Sequence, residues 1–141
     1  TLIDYLGMAD VGTVINPRSM AAQVAGGSYL GIGHALCQKW VYDPHYGLPL
    51  AKRFHQNKPL TILDVPTALQ TGAIELPDPE TPVGARGVGE PPVGAAYGAV
   101  MNAIADAVGM DAFRRAPVTS DLLLMWLEHG HRMSDTLQPH V

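Results

Sequence analysis

Apolar positions along the chain fall into separate blocks, and the spacing inside each block differs. Leu2 to Ile15 is apolar and rich in strand formers, broken by Gly7 and Gly12; it predicts a strand running into a turn at Asn16-Pro17. Ser19 to Tyr42 predicts a helix, with Val24, Leu30, Ala35 and Leu36 on an approximate apolar side and Ser19 as its cap. Gly26, Gly27, Gly31 and Gly33 each cost that helix about 1 kcal/mol relative to Ala, so another backbone or a ligand is expected to pack very close. Asp43 to Pro66 is a connector. It holds a turn at Asp43-Pro44, the basic residues Lys52, Arg53 and Lys58 on a solvated face, and a short strand over Thr61 to Val65.

A second short strand is expected over Ala73 to Leu76, followed by the loop Pro77 to Pro82, stiffened by its three prolines. Val93, Val100, Met101, Ile104 and Val108 then recur at helical spacing with alanines between them. That pattern predicts a largely buried helix, stopped by Gly109. Arg114, Arg115 and Pro117 form a turn, and Thr119 or Ser120 caps a last helix over Asp121 to His129, whose Leu-Leu-Leu-Met-Trp-Leu run reads as core or as an interface. Residues 130–141 read as a loose tail. The expected class is α+β, short strands with about three helices.

Composition narrows the function. At 141 residues and 47% hydrophobic content, one modest domain is expected. A net charge of −4 with 16% charged residues argues against a nucleic-acid surface, which needs clustered Lys and Arg. Cys37 is the single cysteine, so this chain by itself builds no disulfide framework, Cys-based zinc site or iron–sulfur cluster. No apolar run reaches the roughly 20 residues of a membrane span and no signal-peptide pattern precedes the first strand, so a cytoplasmic location without a membrane span is expected. The chain starts at Thr1 directly in an apolar stretch, which suggests a piece of a larger assembly.

The candidate chemistry concentrates in Gly84-Ala85-Arg86-Gly87-Val88-Gly89-Glu90-Pro91-Pro92. Glycines lead to one carboxylate, and prolines tolerated in a first helical turn follow it. Glu90 is therefore expected where a loop becomes a helix, ionised with help from the positive end of the helix dipole, as a general base facing a glycine-lined hollow. The rival reading is a carboxylate that only satisfies the helix terminus. A phosphate loop would end in Lys-Ser/Thr, and here Glu90-Pro91 would repel phosphate and remove a donor. Gly31-Ile32-Gly33 does not extend into a dinucleotide fingerprint, since Leu36 stands where a small residue belongs. The six histidines are scattered and only His129 and His131 are close; Ser28 and Ser120 lack a nucleophile elbow; Asp4 and Asp10 read as strand-end or turn carboxylates.

In order and spacing, Asp10-Val11-Gly12 with Asn16-Pro17, Gln23-Val24-Ala25-Gly26-Gly27, Gly31 to Leu36, and Gly84 to Pro92 resemble one family over roughly residues 8–128. It is the molybdopterin-binding subunit of the xanthine dehydrogenase/aldehyde oxidoreductase family, at its C-terminal end. The resemblance implies a molybdenum–molybdopterin cofactor, its cytosine dinucleotide form included, with no protein side chain on the metal. It implies Glu90 as the base toward a metal-bound hydroxide, Gly87, Val88 and Gly89 against the cofactor, and Gln23 as a further cofactor contact. The expected reaction oxidises an aldehyde, an N-heterocycle or a related small molecule with metal-derived water. Iron–sulfur clusters and FAD are expected on partner subunits, beside the remainder of the molybdopterin subunit that must complete the site. Two departures stand out: the family's other cofactor-binding and substrate-pocket segments are missing, and Lys58 to Pro66 replaces its usual wording. The alternatives are a non-catalytic assembly subunit, or a divergent branch using the cofactor for non-oxidative hydration.

Overall fold

A computed structural model describes residues 2–130, so the expected tail lies outside the described residues apart from Gly130. Strand β1 (Asp4–Asp10) pairs in parallel with β2 (Ala68–Ile74), Asp4 opposite Ala68 and Asp10 opposite Ile74. Parallel strands need a crossover, and helix α1 (Pro17–Leu36), the single turn α2 (Phe54–Asn57) and a 3₁₀ turn (Ile62–Asp64) supply it. Helices α3 (Pro91–Val108) and α4 (Ser120–His129) follow. The mixed class is as expected, with a shorter sheet.

Several boundaries differ from the sequence reading, each for a local reason. Asn16, not Ser19, caps α1: its Oδ1 accepts from the Ser19 amide at 3.0 Å, and Pro17 stands where no donor is needed. The helix stops at Leu36, not Tyr42, because the Gly33 carbonyl takes both the Cys37 and the Gln38 amides, at 2.9 and 2.7 Å. Thr61 to Val65 is not a strand. The Asp64 carboxylate reaches back to the Thr61 amide (2.7 Å) and hydroxyl (2.9 Å), a capping box that coils the segment. The second strand starts five residues earlier than Ala73, at Ala68, since its length is set by pairing with β1.

Two of the four α1 glycines, Gly27 and Gly31, are explained by their neighbours, whereas Gly26 has nothing within 4 Å and Gly33 only ordinary contacts. A Cβ on Gly31 would run into the Val93 carbonyl and lie 2.8 Å from both Ala96 Cβ and the Tyr97 amide nitrogen. On Gly27 it would meet Pro92 Cβ at 3.0 Å and the Gly89 carbonyl at 3.2 Å. The expected close partner is thus the backbone of α3 and of the loop before it. Around this contact sits the core: Ile32, Ala35, Ala96 and Val100, with Leu2, Tyr5, Leu36, Leu60, Met101 and Ile104 packed against it. On a neighbouring face of α1, Val24 and Ser28 press on Gly7 of β1. Helix α3 is less buried than its pattern suggests; Pro92, Ala96 and Val100 are buried, and most of its alanines are exposed. Helix α4 is held at its far end, where the Trp126 indole donates to the Val108 carbonyl at 3.3 Å.

Candidate functional site

The glycine loop is pinned before it reaches Glu90. Thr13 and Arg86 amides donate to the Gly84 and Val11 carbonyls, both at 2.8 Å, making an antiparallel bridge between Gly12 and Ala85. Gly12 has φ +62°, and a Cβ there would strike the Gly84 carbonyl, so only glycine serves. The proline loop adds to the knot, because the Gly84 carbonyl also accepts from the Asp78 amide at 2.9 Å. As expected, the stiff loop delivers the glycine segment to a defined place.

Arg86 completes the anchor. Its Nη1 donates to Asp10 Oδ2 at 2.5 Å and its Nε to Asp78 Oδ2 at 3.1 Å. Asp10 also accepts from the Gly12 amide at 3.2 Å, so the turn role expected of it holds. The sequence reading left Arg86 and Asp78 without a role. Their signal is faint: one cation, a carboxylate eight residues before it and another 76 residues before it.

Glu90 is the residue immediately before α3, exposed, with no hydrogen bond from its side chain to the helix. The reason is chemical. A capping side chain satisfies the free amides of the first turn, but Pro91 and Pro92 have none, and the Val93 amide bonds the Glu90 carbonyl at 2.9 Å. The carboxylate is therefore not spent on capping. The helix dipole still favours its charge.

Gln23, Gly27 and Gly31 follow each other at intervals of four along one face of α1. Gly27 and Gly31 admit Pro92 and Val93, and one turn earlier Gln23 Oε1 lies 3.4 Å from where a Cβ of Gly89 would stand. Gln23 and Gly89 are thus brought together, with Glu90 next in the chain. Gly87 has open space on the side where a Cβ would project. Gln23 and Val88 share a cleft of about 200 Å³ with Thr13, Asn16, Ser19 and Arg86. Two hollows of about 690 and 790 Å³ lie elsewhere, around Phe113 to Pro117 and along Lys58 to Val65; Glu90, Gly87 and Gly89 line none of the three.

Among the described residues no three His, Cys, Asp or Glu side chains gather where they could hold a metal ion. Ser28 is fully buried behind α1, out of reach of any substrate. His131 lies outside the described residues. No helix of the described residues is long and apolar enough to cross a membrane.

With this geometry in hand, comparison with known proteins is direct. Residues 1–66 match the molybdopterin cofactor-binding domain model. The xanthine dehydrogenase molybdenum-binding subunit of Escherichia coli O157:H7 is 31% identical over 119 residues, 84% of this chain and 16% of that protein. The aldehyde oxidoreductase of Megalodesulfovibrio gigas is 33% identical over 107 residues, 76% of this chain and 11% of that protein. The crystal structure of quinoline 2-oxidoreductase from Pseudomonas putida 86 superposes with a TM-score of 0.78 at 28% identity, covering 90% of this chain and 16% of the other. The chain belongs to the xanthine dehydrogenase/aldehyde oxidoreductase family, in its molybdopterin-binding subunit. It spans about one sixth of the length of the family members it matches. The loop from Gly84 to Pro92 lies beyond the part that matches the domain model, and within the superposed family fold it closes onto Gln23 in the matched part.

Proposed function

We propose that this chain supplies the general base and one wall of the cofactor cleft in a molybdenum hydroxylase, with Glu90 as the base. The observation that carries the proposal is the meeting of Gln23 and Gly89 beside a Glu90 carboxylate left free by Pro91 and Pro92. The residues fit a large flat cofactor. Gly87 and Gly89 present backbone without Cβ, and Gln23 offers a neutral amide with both donor and acceptor character at the edge of the same strip. At about 200 Å³ the cleft falls below the ~300–1,000 Å³ of enclosing ligand sites, so this chain forms a wall and not the whole pocket.

Gln23, Gly87, Val88 and Gly89 would hold the cofactor, through one side chain and the loop backbone. When bound, the group supplies a metal-activated water and accepts the two electrons of the oxidation. Glu90 does the proton work: its carboxylate takes a proton at Oε. The substrate is an aldehyde, an N-heterocycle or a related small molecule. The remainder of the molybdopterin subunit completes the pocket, and iron–sulfur and flavin subunits carry the electrons away. The cytoplasmic location expected from the sequence belongs to the same reading, and fractionation of cells checks it.

Glu90→Gln keeps the shape and removes the base. In the assembled complex it should lower turnover by about 10²–10⁴-fold, the usual worth of general-base catalysis, with molybdenum content unchanged. Unchanged turnover sinks the assignment, and is what a non-catalytic assembly role requires. Product formed without reduction of any electron acceptor would favour hydration over oxidation.

A further inference from the structure

We propose that Arg86 is a positioning residue that sets the distance between the glycine wall and the Glu90 carboxylate; the proposal rests on the reading of Glu90 as base. The wall, Gly87 to Gly89, is held at both ends. On its C-terminal side, Pro92 is seated against Gly27 of α1, which leaves the Gly27 face no room for a Cβ. On its N-terminal side, Gly84 and Ala85 are held by the Thr13 and Asp78 amides and the Thr81 hydroxyl, and Arg86 adds a side-chain link. The amide of Arg86 bonds Val11, and its side chain bonds Asp10 at the end of β1 and Asp78 at the start of the proline loop.

Between these anchors the wall meets α1 at one place, where the Gly89 carbonyl faces Gly27. Gly87 touches nothing where a side chain would be, and Gly89 meets only Gln23 there. The position of the wall relative to Glu90 is therefore fixed mainly by its two ends. One end is a helix packed on a helix. The other combines backbone bonds at Gly84 and Arg86 with a guanidinium joining two carboxylates, and that side-chain link is its adjustable part.

The geometry needs arginine in particular. Nη1 and Nε donate to two different carboxylates, a task for a planar fork that a lysine ammonium on a flexible stem does not reproduce. Asp10 is committed on both oxygens, one to Arg86 and one to the Gly12 amide, so the turn that receives Ala85 and the fork that holds Arg86 share one carboxylate. The two pairs are only partly exposed, with side-chain exposures of 39% for Arg86, 31% for Asp10 and 25% for Asp78.

The test uses steady-state kinetics of the assembled molybdenum-loaded complex. Arg86→Ala should lower kcat by up to about a hundredfold, the cost of roughly 1 Å of misplacement, with KM and molybdenum per complex unchanged. Arg86→Lys keeps the charge and should stay close to the alanine variant; full recovery by lysine would overturn the geometric role. Combined with Glu90→Asp, Arg86→Ala should fall far short of the product of the single effects, since both act through the placement of one carboxylate. Strict multiplicativity would also overturn the proposal, as would a loss of molybdenum that accounts for the fall in kcat. Should Arg86→Ala fail to assemble, Asp78→Asn removes one arm alone and should still lower kcat with KM unchanged; wild-type kcat in that variant overturns the proposal. The two readings fail separately. A fully active Glu90→Gln sinks the base, whereas an inactive Glu90→Gln beside a fully active Arg86→Ala sinks only the positioning role.

Discussion

At the residue scale, the charge of Asp64 acts on two groups in different ways. The Thr61 amide and hydroxyl bond its carboxylate, which holds its pKa below the ordinary 3.8. A group whose pKa is depressed by folding stabilises the fold above its unfolded value, and that contribution is lost as pH falls through the lowered value. The 3₁₀ turn is thus secured at neutral pH and loosens only in strong acid. The same charge faces Cys37. Burial pushes the Cys37 thiol above its ordinary range, and the negative charge of Asp64 adds to the rise. Since the thiolate is the reactive form, Cys37 should alkylate slowly at pH 7 in the native protein and faster as pH is raised. Asp64→Asn should speed alkylation modestly, and denaturation should speed it more, because burial is the larger cause. Measured iodoacetamide rates decide this; a thiol reacting at the free-cysteine rate at pH 7 contradicts it.

At the element scale, the α1–α3 contact depends on missing side chains. Gly31→Ala would place a methyl group against backbone atoms of Val93 and Tyr97, which cannot swing aside as a side-chain tip can. The expected cost of overpacking is about 1–3 kcal/mol, less the roughly 1 kcal/mol gained in helix propensity. Gly26→Ala, where nothing lies within 4 Å, should be neutral or stabilising. Melting of the two variants side by side checks the pair, and equal behaviour would mean the helices are not in contact. This contrast also shows what the sequence could reveal. Both glycines looked alike in the chain; α3 was readable from its 3.6-residue period and Gly109, but not which α1 glycines it met. Glu90 was readable because glycines and prolines announce a loop-to-helix junction. The coiling of Thr61 to Val65 was missed since Asp64 overrides the strand preference of its apolar neighbours. The start of β2 was missed because pairing with a distant strand fixes it. Arg86 was missed for a related reason: Asp78 is eight residues away across an irregular loop, and Asp10, 76 residues away, approaches only through the fold.

At the scale of the whole molecule, the surface is the informative feature. Leu63, Phe54, Ile62, Met110 and Ile3 are each more than three-quarters exposed, with Leu127, Leu124 and Leu6 not far behind. Adjacent pairs such as Ile62 and Leu63 give local apolar surface of the kind that contact with another protein covers. The mostly exposed alanines of α3 fit the same account, as their helical pattern is that of a helix covered on more than one side. Because the chain spans about one sixth of its relatives' length, the covering surface is expected from the remainder of the molybdopterin subunit. Produced alone, the chain should therefore bind a hydrophobic dye strongly and retain no stoichiometric molybdenum, since one open wall cannot hold the cofactor. Co-produced with the remainder of the subunit, it should lose the dye signal and the complex should gain about one molybdenum per site. Dye fluorescence and metal analysis of the two preparations read both effects. Stoichiometric molybdenum in the isolated chain would mean that the wall binds the cofactor unaided, and the divided site would have to be abandoned.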